Sequence, residues 1–183
     1  MVGFSFPKSH YVHKIVVYTS NLLDIPVADI AAYKALEDGT EYAVTLTNAK
    51  VTAVEGGCVY LEDASAGIKL DQGTLGLAVG DVLNGKIILK RTADGAETVT
   101  ATNLDNVTKT AGSAAPTDAT MAQAVTTAKQ DMYVRLSGVT VTTDGETVYV
   151  NQGGKTIKVV NTLFADAVTT ISGKKQLESI AGI

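Results

Sequence analysis

The chain has 183 residues, a net charge of −4, and a composition that is 45% hydrophobic but only 5% aromatic, without tryptophan. This length suffices for one large or two small domains, whose cores must be built from Val, Ile, Leu and Ala. The mildly acidic balance argues against the broad positive field that non-specific nucleic-acid binding requires. No stretch approaches the roughly 18 apolar residues of a membrane span, so we expect no membrane-spanning segment.

Residues 1–25 form an N-terminal arm in the predicted organisation. His10 and His13 lie close together, but no third ligand type clusters with them, as a metal site would require. The single cysteine, Cys58, can form neither an internal disulfide nor a cysteine metal site. We therefore expect no metal and no cofactor. No signal peptide is recognisable, which leaves a cytosolic location and removal of a leader both open.

Residues 26–110 predict a first β domain that begins with a short helix. Pro26 suits the first turn of this helix, which is predicted to end by residue 38. The long strand that follows, over residues 41–54, loses its alternation at Asn48, which predicts a β-bulge. The remaining elements are a hairpin over 59–70 and strands over 82–90 and 97–107.

The same order of elements starts again after a linker at residues 111–119. Thr120 and Gln123 form a predicted capping box at the start of a second helix. A second domain is thus predicted over residues 120–183. Its elements after the helix are a strand over 133–142, a hairpin over 148–159, and strands over 167–171 and 175–183.

The repeated hairpin indicates an internal duplication. Residues 59–70 align without a gap with residues 148–159, and each copy has two alternating runs joined by a small-residue turn. Five short antiparallel strands, one of them long and bulged, suit a small closed barrel, because closure removes exposed strand edges. We therefore predict an all-β fold with short helices: two tandem five-stranded barrels, each preceded by a short helix. Since small domains are marginally stable alone, we expect the two to pack together.

Three short motifs of the first domain resemble an OB-fold module. They are the run Val59-Tyr60-Leu61-Glu62-Asp63, the pair Gly67-Ile68, and the run Val79-Gly80-Asp81-Val82. The chain is similar to the tandem OB-like modules of bacterial exported and cell-surface proteins, some of which are attached to secreted nucleases. The resemblance covers residues 26–110 well and residues 118–183 less well, where Gln152 replaces the aspartate. It implies a periplasmic, extracellular or cell-surface binding module, and it does not name the ligand.

A tyrosine and a lysine are predicted to face each other on the outside of each hairpin. If the residues on either side of Tyr60 point inward, Tyr60 points outward and lies opposite Lys69. The same construction puts Tyr149 opposite Lys158. OB-folds use exposed aromatic and cationic side chains on their second and third strands to bind bases or sugars. The simpler interpretation is a cross-strand pair that only supports the sheet, worth about 0.2–1 kcal/mol.

The sequence offers little for catalysis. It has no recognisable arrangement of Ser, His and Asp, and no phosphate-binding Gly-rich loop before a helix. Our first hypothesis is therefore a non-enzymatic binding or structural module whose ligand is a protein or a glycan. The alternative is a single-stranded nucleic-acid binder that uses the outer faces of the second and third strands. It predicts a positive groove across Lys69 and two lysines of the fourth strand, Lys86 and Lys90.

Overall fold

The computed structural model of the protein describes residues 25–36, 41–71, 75–91, 97–99, 104–160 and 167–183. Over these residues the protein is mostly β, with two sheets and three short α-helices. The predictions made for His10, His13 and nearly all of the N-terminal arm fall outside the described residues. None of the described helices has the length and apolar character needed to cross a bilayer.

The first half of the protein contains the larger sheet. Its strands pair in the order β1-β2-β3-β4-β6-β5-β7, and β2 also pairs with β5. The elements are β1 Ile25–Val27, α1 Ile30–Lys34, β2 Glu41–Glu55, β3 Cys58–Glu62, β4 Gly67–Leu70, β5 Val82–Arg91, β6 Glu97–Val99 and β7 Val107–Thr110.

The second half contains the smaller sheet, in the order β11-β10-β9-β12, with β8 pairing in parallel with β9. A single 3-10 turn, Thr127–Lys129, precedes β9. The other elements are β8 Thr117–Asp118, α2 Met121–Ala124, β9 Val134–Asp144, β10 Thr147–Gln152, β11 Lys155–Val159, α3 Ala167–Ile171 and β12 Gln176–Gly182.

Neither sheet closes into a barrel over the described residues. In the first sheet, only the residue pair Leu70–Glu97 joins β4 to β6. The pairings of β2 with β3, β3 with β4, β6 with β5 and β5 with β2 each extend over several residues. In the second sheet, β11 and β12 are the ends of the ladder and do not pair with each other. The predicted β-rich architecture is therefore confirmed, whereas two tandem barrels are not.

The bulge predicted in the first long strand is confirmed. The register between β2 and β5 shifts between Leu46 and Ala49, and Asn48 lies there with a φ of 51°. Asparagine tolerates this left-handed conformation better than most residues. The side-chain oxygen of Asn84 accepts a hydrogen bond from the Asn48 backbone nitrogen at 2.8 Å. The bulge lets β2 bend, so that one strand pairs with β5 along most of its length and with β3 at its C-terminal end.

The first helix is shorter than predicted and starts later. Pro26 lies in β1, which pairs in parallel with β2, rather than in a helical turn. Proline has no backbone N–H to donate, and an edge strand such as β1 accommodates it. Asp29 is the N-cap instead, and its side chain accepts a hydrogen bond from the Ala32 backbone nitrogen. The capping box of Thr120 and Gln123 at the second helix is confirmed.

The strand predicted over residues 167–171 is wrong, because these residues form α3. Val168 and Ile171 both pack against the second core, and a spacing of three residues brings two side chains together on a helix rather than on a strand. Short apolar runs do not distinguish the two structures by periodicity alone. The strand β12, which was predicted as the fifth of the second domain, pairs with β9 as β5 pairs with β2. It therefore corresponds to the fourth strand of the first domain.

The strand predicted over residues 97–107 is interrupted rather than continuous. It is replaced by β6 and β7, and the Val107 backbone nitrogen donates to the Leu104 carbonyl across a turn. Asp105 and Asn106 occupy the turn, and both residue types hydrogen-bond nearby backbone and favour turns. Leu104 and Val107 nevertheless pack against the first core.

Candidate ligand-binding faces

The first hairpin has the pairing predicted for it. Tyr60 lies opposite Lys69, and both side chains are partly exposed on the outside of the sheet. The neighbouring residues on the same two strands point the other way into the core, and none is more than 1% exposed: Val59, Leu61, Ile68 and Leu70. The alternation of β3 and β4 therefore places one aromatic ring and one ammonium group side by side on an outer face.

Two further groups extend this outer face toward one end of the hairpin. The Cys58 thiol donates a hydrogen bond to the carboxylate of Asp71 at 3.4 Å. Burial and this hydrogen bond raise the pKa of Cys58, and the nearby charge of Lys69 partly opposes the rise. Burial also raises the pKa of Tyr60, against the opposing effect of Lys69. At neutral pH both groups are therefore protonated and act as neutral polar groups.

Because Cys58 is the only cysteine, its thiol reports directly on this face. The thiolate is the reactive form, so any change that lowers the pKa of Cys58 speeds its alkylation. We expect Asp71→Asn to speed alkylation at neutral pH, because it removes a charge and a hydrogen bond that favour the thiol. We expect Lys69→Met to slow it, because it removes the nearby positive charge. Alkylation rates by iodoacetamide, measured by mass spectrometry, check both directions; equal rates in the three proteins contradict the arrangement.

The other end of the first outer face is covered by the second half of the protein. Glu62, which is 7% exposed, accepts a hydrogen bond from the Tyr133 backbone nitrogen at 2.8 Å. Burial raises the pKa of Glu62, and the hydrogen bond from Tyr133 and the charges of Lys50 and Lys129 oppose the rise. We call residues 130–133, which lie between the 3-10 turn and β9, the junction segment.

Gly67 lets the junction segment approach closely. A Cβ atom at this position would overlap the backbone carbonyl of Asp131 and lie 2.7 Å from the Met132 backbone nitrogen. Lys34 of α1 bridges the same contact, since its ammonium donates to the Gly67 carbonyl at 2.8 Å and to the Gln130 carbonyl at 3.3 Å. It also lies 3.4 Å from an Asp131 carboxylate oxygen. The expected packing between the two halves is thus found at this junction.

The second hairpin also has the pairing predicted for it. Tyr149 lies opposite Lys158 on the outside, while Val148 and Val150 are at most 2% exposed. The flanking strand β9 places Thr142 opposite Tyr149 and Thr140 opposite Asn151.

Asn151 links the polar side chains of this second outer face. Its amide nitrogen donates to the Thr142 hydroxyl at 3.0 Å, and its oxygen accepts from the Thr156 hydroxyl at 2.6 Å. The second outer face is therefore an aromatic ring and a lysine beside neutral hydroxyl and amide groups.

The lysines of the predicted fourth strand do not join this arrangement into a groove. Lys86 is exposed on β5 opposite Thr45, and Lys90 lies opposite Glu41. β5 does not pair with β4, the strand that carries Lys69, because β6 lies between them. Lys86 and Lys90 are separated along their own strand by about 13 Å, at 3.3 Å per residue. The structure brings Tyr60 together with Lys69, and Tyr149 with Lys158, but leaves the two β5 lysines apart from both pairs.

Several residues of these faces were missed in the sequence. Asp71 is two positions after Lys69, so strand alternation was a sufficient signal to place it on the same face. Thr142 and Asn151 could have been placed on the face of Tyr149 by the same alternation, once β9 and β10 were paired. Asp131 carried no signal, because its position depends on how the two halves meet.

Comparisons with protein-family models, with curated proteins and with solved structures gave no match for this chain. Among the described residues, no group of three or more His, Cys, Asp or Glu side chains is placed to hold a metal ion.

Proposed function

We propose that the protein is a non-catalytic binding module made of two OB-like units, which binds a glycan or a protein through the outer faces of its two hairpins. The observation that carries the proposal is the same tyrosine–lysine pair in the same register on both hairpins, Tyr60 with Lys69 and Tyr149 with Lys158. Both pairs lie outside the cores, so packing alone does not account for the aromatic rings.

The two long strands share a residue with a positive φ, which supports the duplication. Asn48 in β2 and Gly138 in β9 both have positive φ values, of 51° and 64°, at matching places in the two long strands. Ile30 and Met121, the first residues of α1 and α2, are both fully buried.

The two helices are also tied to the hairpins in the same way. The carboxylate of Asp63 accepts from the Ile30 backbone nitrogen at 3.2 Å, and the side chain of Gln152 accepts from the Met121 backbone nitrogen at 2.7 Å. Asp63 directly follows the first strand of its hairpin and Gln152 ends the first strand of its own, at positions that align in the sequence. Two different residue types thus perform one structural role, as expected of diverged copies.

The chemistry of the second outer face favours a glycan. Sugars present hydroxyl groups at their edges and apolar C–H faces, and an aromatic ring beside hydroxyl and amide groups complements both. Tyr149 supplies the ring, and Thr142 and Asn151 supply neutral polar groups next to it. OB-folds are known to bind oligosaccharides as well as oligonucleotides on comparable strands.

Carboxylates beside the lysines weigh against the nucleic-acid alternative. Asp71 and Asp131 lie close enough to Tyr60 to raise its pKa electrostatically, and Glu41 lies opposite Lys90. A phosphate backbone that followed these lysines would meet negative charge beside Lys69 and beside Lys90. The affinity of single-stranded binders depends on a continuous positive path, which the described residues do not provide.

An oligosaccharide array tests the proposal. We expect wild-type protein to bind a subset of the printed glycans, and Tyr149→Ala to weaken that binding about tenfold or more, as loss of one stacking contact does. Tyr60→Ala combined with Tyr149→Ala is expected to abolish it. Lys109→Ala, at an exposed lysine of β7, which pairs with β5 rather than with either hairpin, is the control. Glycan binding that survives the double tyrosine variant would refute the assignment of the faces.

The same proteins distinguish the alternative when titrated with labelled dT20 and dC20 oligonucleotides. The proposal predicts no binding at low salt. Binding that falls steeply as salt rises, and that disappears in the double tyrosine variant, would instead support the single-stranded nucleic-acid binder.

A further inference from the structure

The second sheet leaves part of its inner face uncovered. Ile157 and Val159 of β11 are only partly buried, whereas the corresponding residues of β4, Ile68 and Leu70, are at most 1% exposed. The strand β12 shows the same difference: Leu177 is partly exposed, whereas Leu83, at the matching position of β5, is fully buried.

A cavity of about 520 Å³ lies against this uncovered face. Its volume falls in the range of about 300–1,000 Å³ that is typical of binding pockets. Aliphatic side chains from the four strands β9 to β12 and from α3 line it, including Leu136, Val150, Ile157, Val159, Ile171 and Ile180.

The first sheet shows what covers the equivalent place. There β7 pairs antiparallel with the outer edge of β5, from Val82–Thr110 to Gly85–Val107, and β6 reaches Leu70 at the end of β4. Leu104 and Val107 from this segment pack against the first core. Residues 97–99 and 104–110 therefore supply backbone pairing along one side of the first sheet, and Leu104 and Val107 supply aliphatic side chains.

No described strand does this for the second sheet. β12 pairs with β9 on one edge, and no described strand pairs with its other edge; the same holds for the edge of β11 that faces away from β10. These two edges border the cavity, since Val159 and Ile180 both line it. Exposed strand edges next to an apolar cavity are a template for an added strand.

We propose that this open side of the second sheet is a docking site for an extended strand of a second polypeptide chain. The strand runs antiparallel to β12, in the direction that β7 takes along β5, and starts beside Val159 as β6 starts beside Leu70. Its aliphatic side chains enter the cavity in the places that Leu104 and Val107 take in the first half. A strand fits the site better than a small apolar molecule, because only a peptide backbone also pairs with the N–H and C=O groups of both edges.

The probe is a synthetic peptide with the sequence of residues 97–110 of this chain, added in trans to the full-length protein. At about 1 mM peptide, enough to detect even a millimolar complex, we expect slower amide hydrogen exchange in β11 and β12 and a higher melting temperature. The control peptide carries Leu104→Asn and Val107→Asn and keeps the same length. It is expected to have no effect, because two amide side chains placed against the aliphatic lining would lose their hydrogen bonds to water.

Hydrogen exchange also locates the peptide, which separates this proposal from a trivial exchange of strands in the first sheet. Protection confined to β5 would show that the peptide only replaces its own copy, and it would overturn the proposal. So would the absence of any protection, or equal protection by the control peptide. Because the outer faces of the hairpins are not involved, Tyr60→Ala with Tyr149→Ala is expected to leave peptide binding unchanged, so failure here and failure of the proposed function are distinguishable.

Discussion

Replacing Gly67 with alanine is expected to separate the two halves of the protein while leaving each sheet folded. The added Cβ atom would overlap the backbone carbonyl of Asp131 and lie 2.7 Å from the Met132 backbone nitrogen, and backbone atoms cannot move aside by changing rotamer. The junction segment must therefore withdraw from the hairpin. Withdrawal breaks the Glu62–Tyr133 hydrogen bond and the bridge made by Lys34. At about 0.5–3 kcal/mol for each lost bond, we expect a junction weakened by about 2–4 kcal/mol.

Small-angle X-ray scattering and hydrogen exchange measure this outcome. Gly67→Ala should increase the radius of gyration and speed exchange of the Tyr133 amide, while the far-UV circular dichroism stays that of the wild type. Gly182→Ala is the matched control, since Gly182 also lies in a strand, with nothing within 4 Å of an added Cβ. A Gly67→Ala protein with unchanged scattering and unchanged Tyr133 exchange would show that the junction is not held by this close approach.

Features that depend on neighbouring residues were predicted from the sequence. The register of both hairpins follows from alternation, because shifting either strand by one residue would turn its apolar set outward. The bulge at Asn48 and the capping box at Thr120 are also local, and each depends on residue types that suit one backbone conformation.

Features that depend on distant residues were not predicted. The hydrogen bond from Tyr133 to Glu62 joins residues 71 positions apart, and neither residue carries a pattern that points to the other. In the same way, the helix α3, Ala167–Ile171, is selected by the core it packs against, since five residues carry too little periodicity to choose between a helix and a strand. The candidate faces were therefore half predicted: the tyrosine–lysine pairs come from local alternation, whereas the covering of one face by the junction segment comes from tertiary packing.

Replacing Asp63 with alanine is expected to destabilise the first half more than any change on the outer faces. One carboxylate oxygen accepts from the Ser65 nitrogen at 2.7 Å, the Ser65 hydroxyl at 2.5 Å and the Ala66 nitrogen at 3.0 Å. The other accepts from the Ile30 nitrogen at 3.2 Å. Asp63 thus closes the hairpin turn and holds the start of α1, whose first residue is fully buried. Losing bonds to a charged acceptor, and leaving the part-buried Ile30 and Ala66 nitrogens without their acceptor, costs about 2–4 kcal/mol.

Gln152 provides a matched test of this reasoning in the second half. Its side chain accepts from the Met121 nitrogen at 2.7 Å and donates to the Ser137 carbonyl at 2.6 Å, so it holds α2 but closes no turn. Gln152→Ala should therefore cost less than Asp63→Ala, about 1–2 kcal/mol, because fewer and uncharged bonds are lost. For a unit of this size, Asp63→Ala should lower the melting temperature by about 10–20 °C and Gln152→Ala by about half as much. Since both residues anchor a helix through the same backbone group, a harmless Asp63→Ala beside a damaging Gln152→Ala would mean that the two halves are not built on one plan.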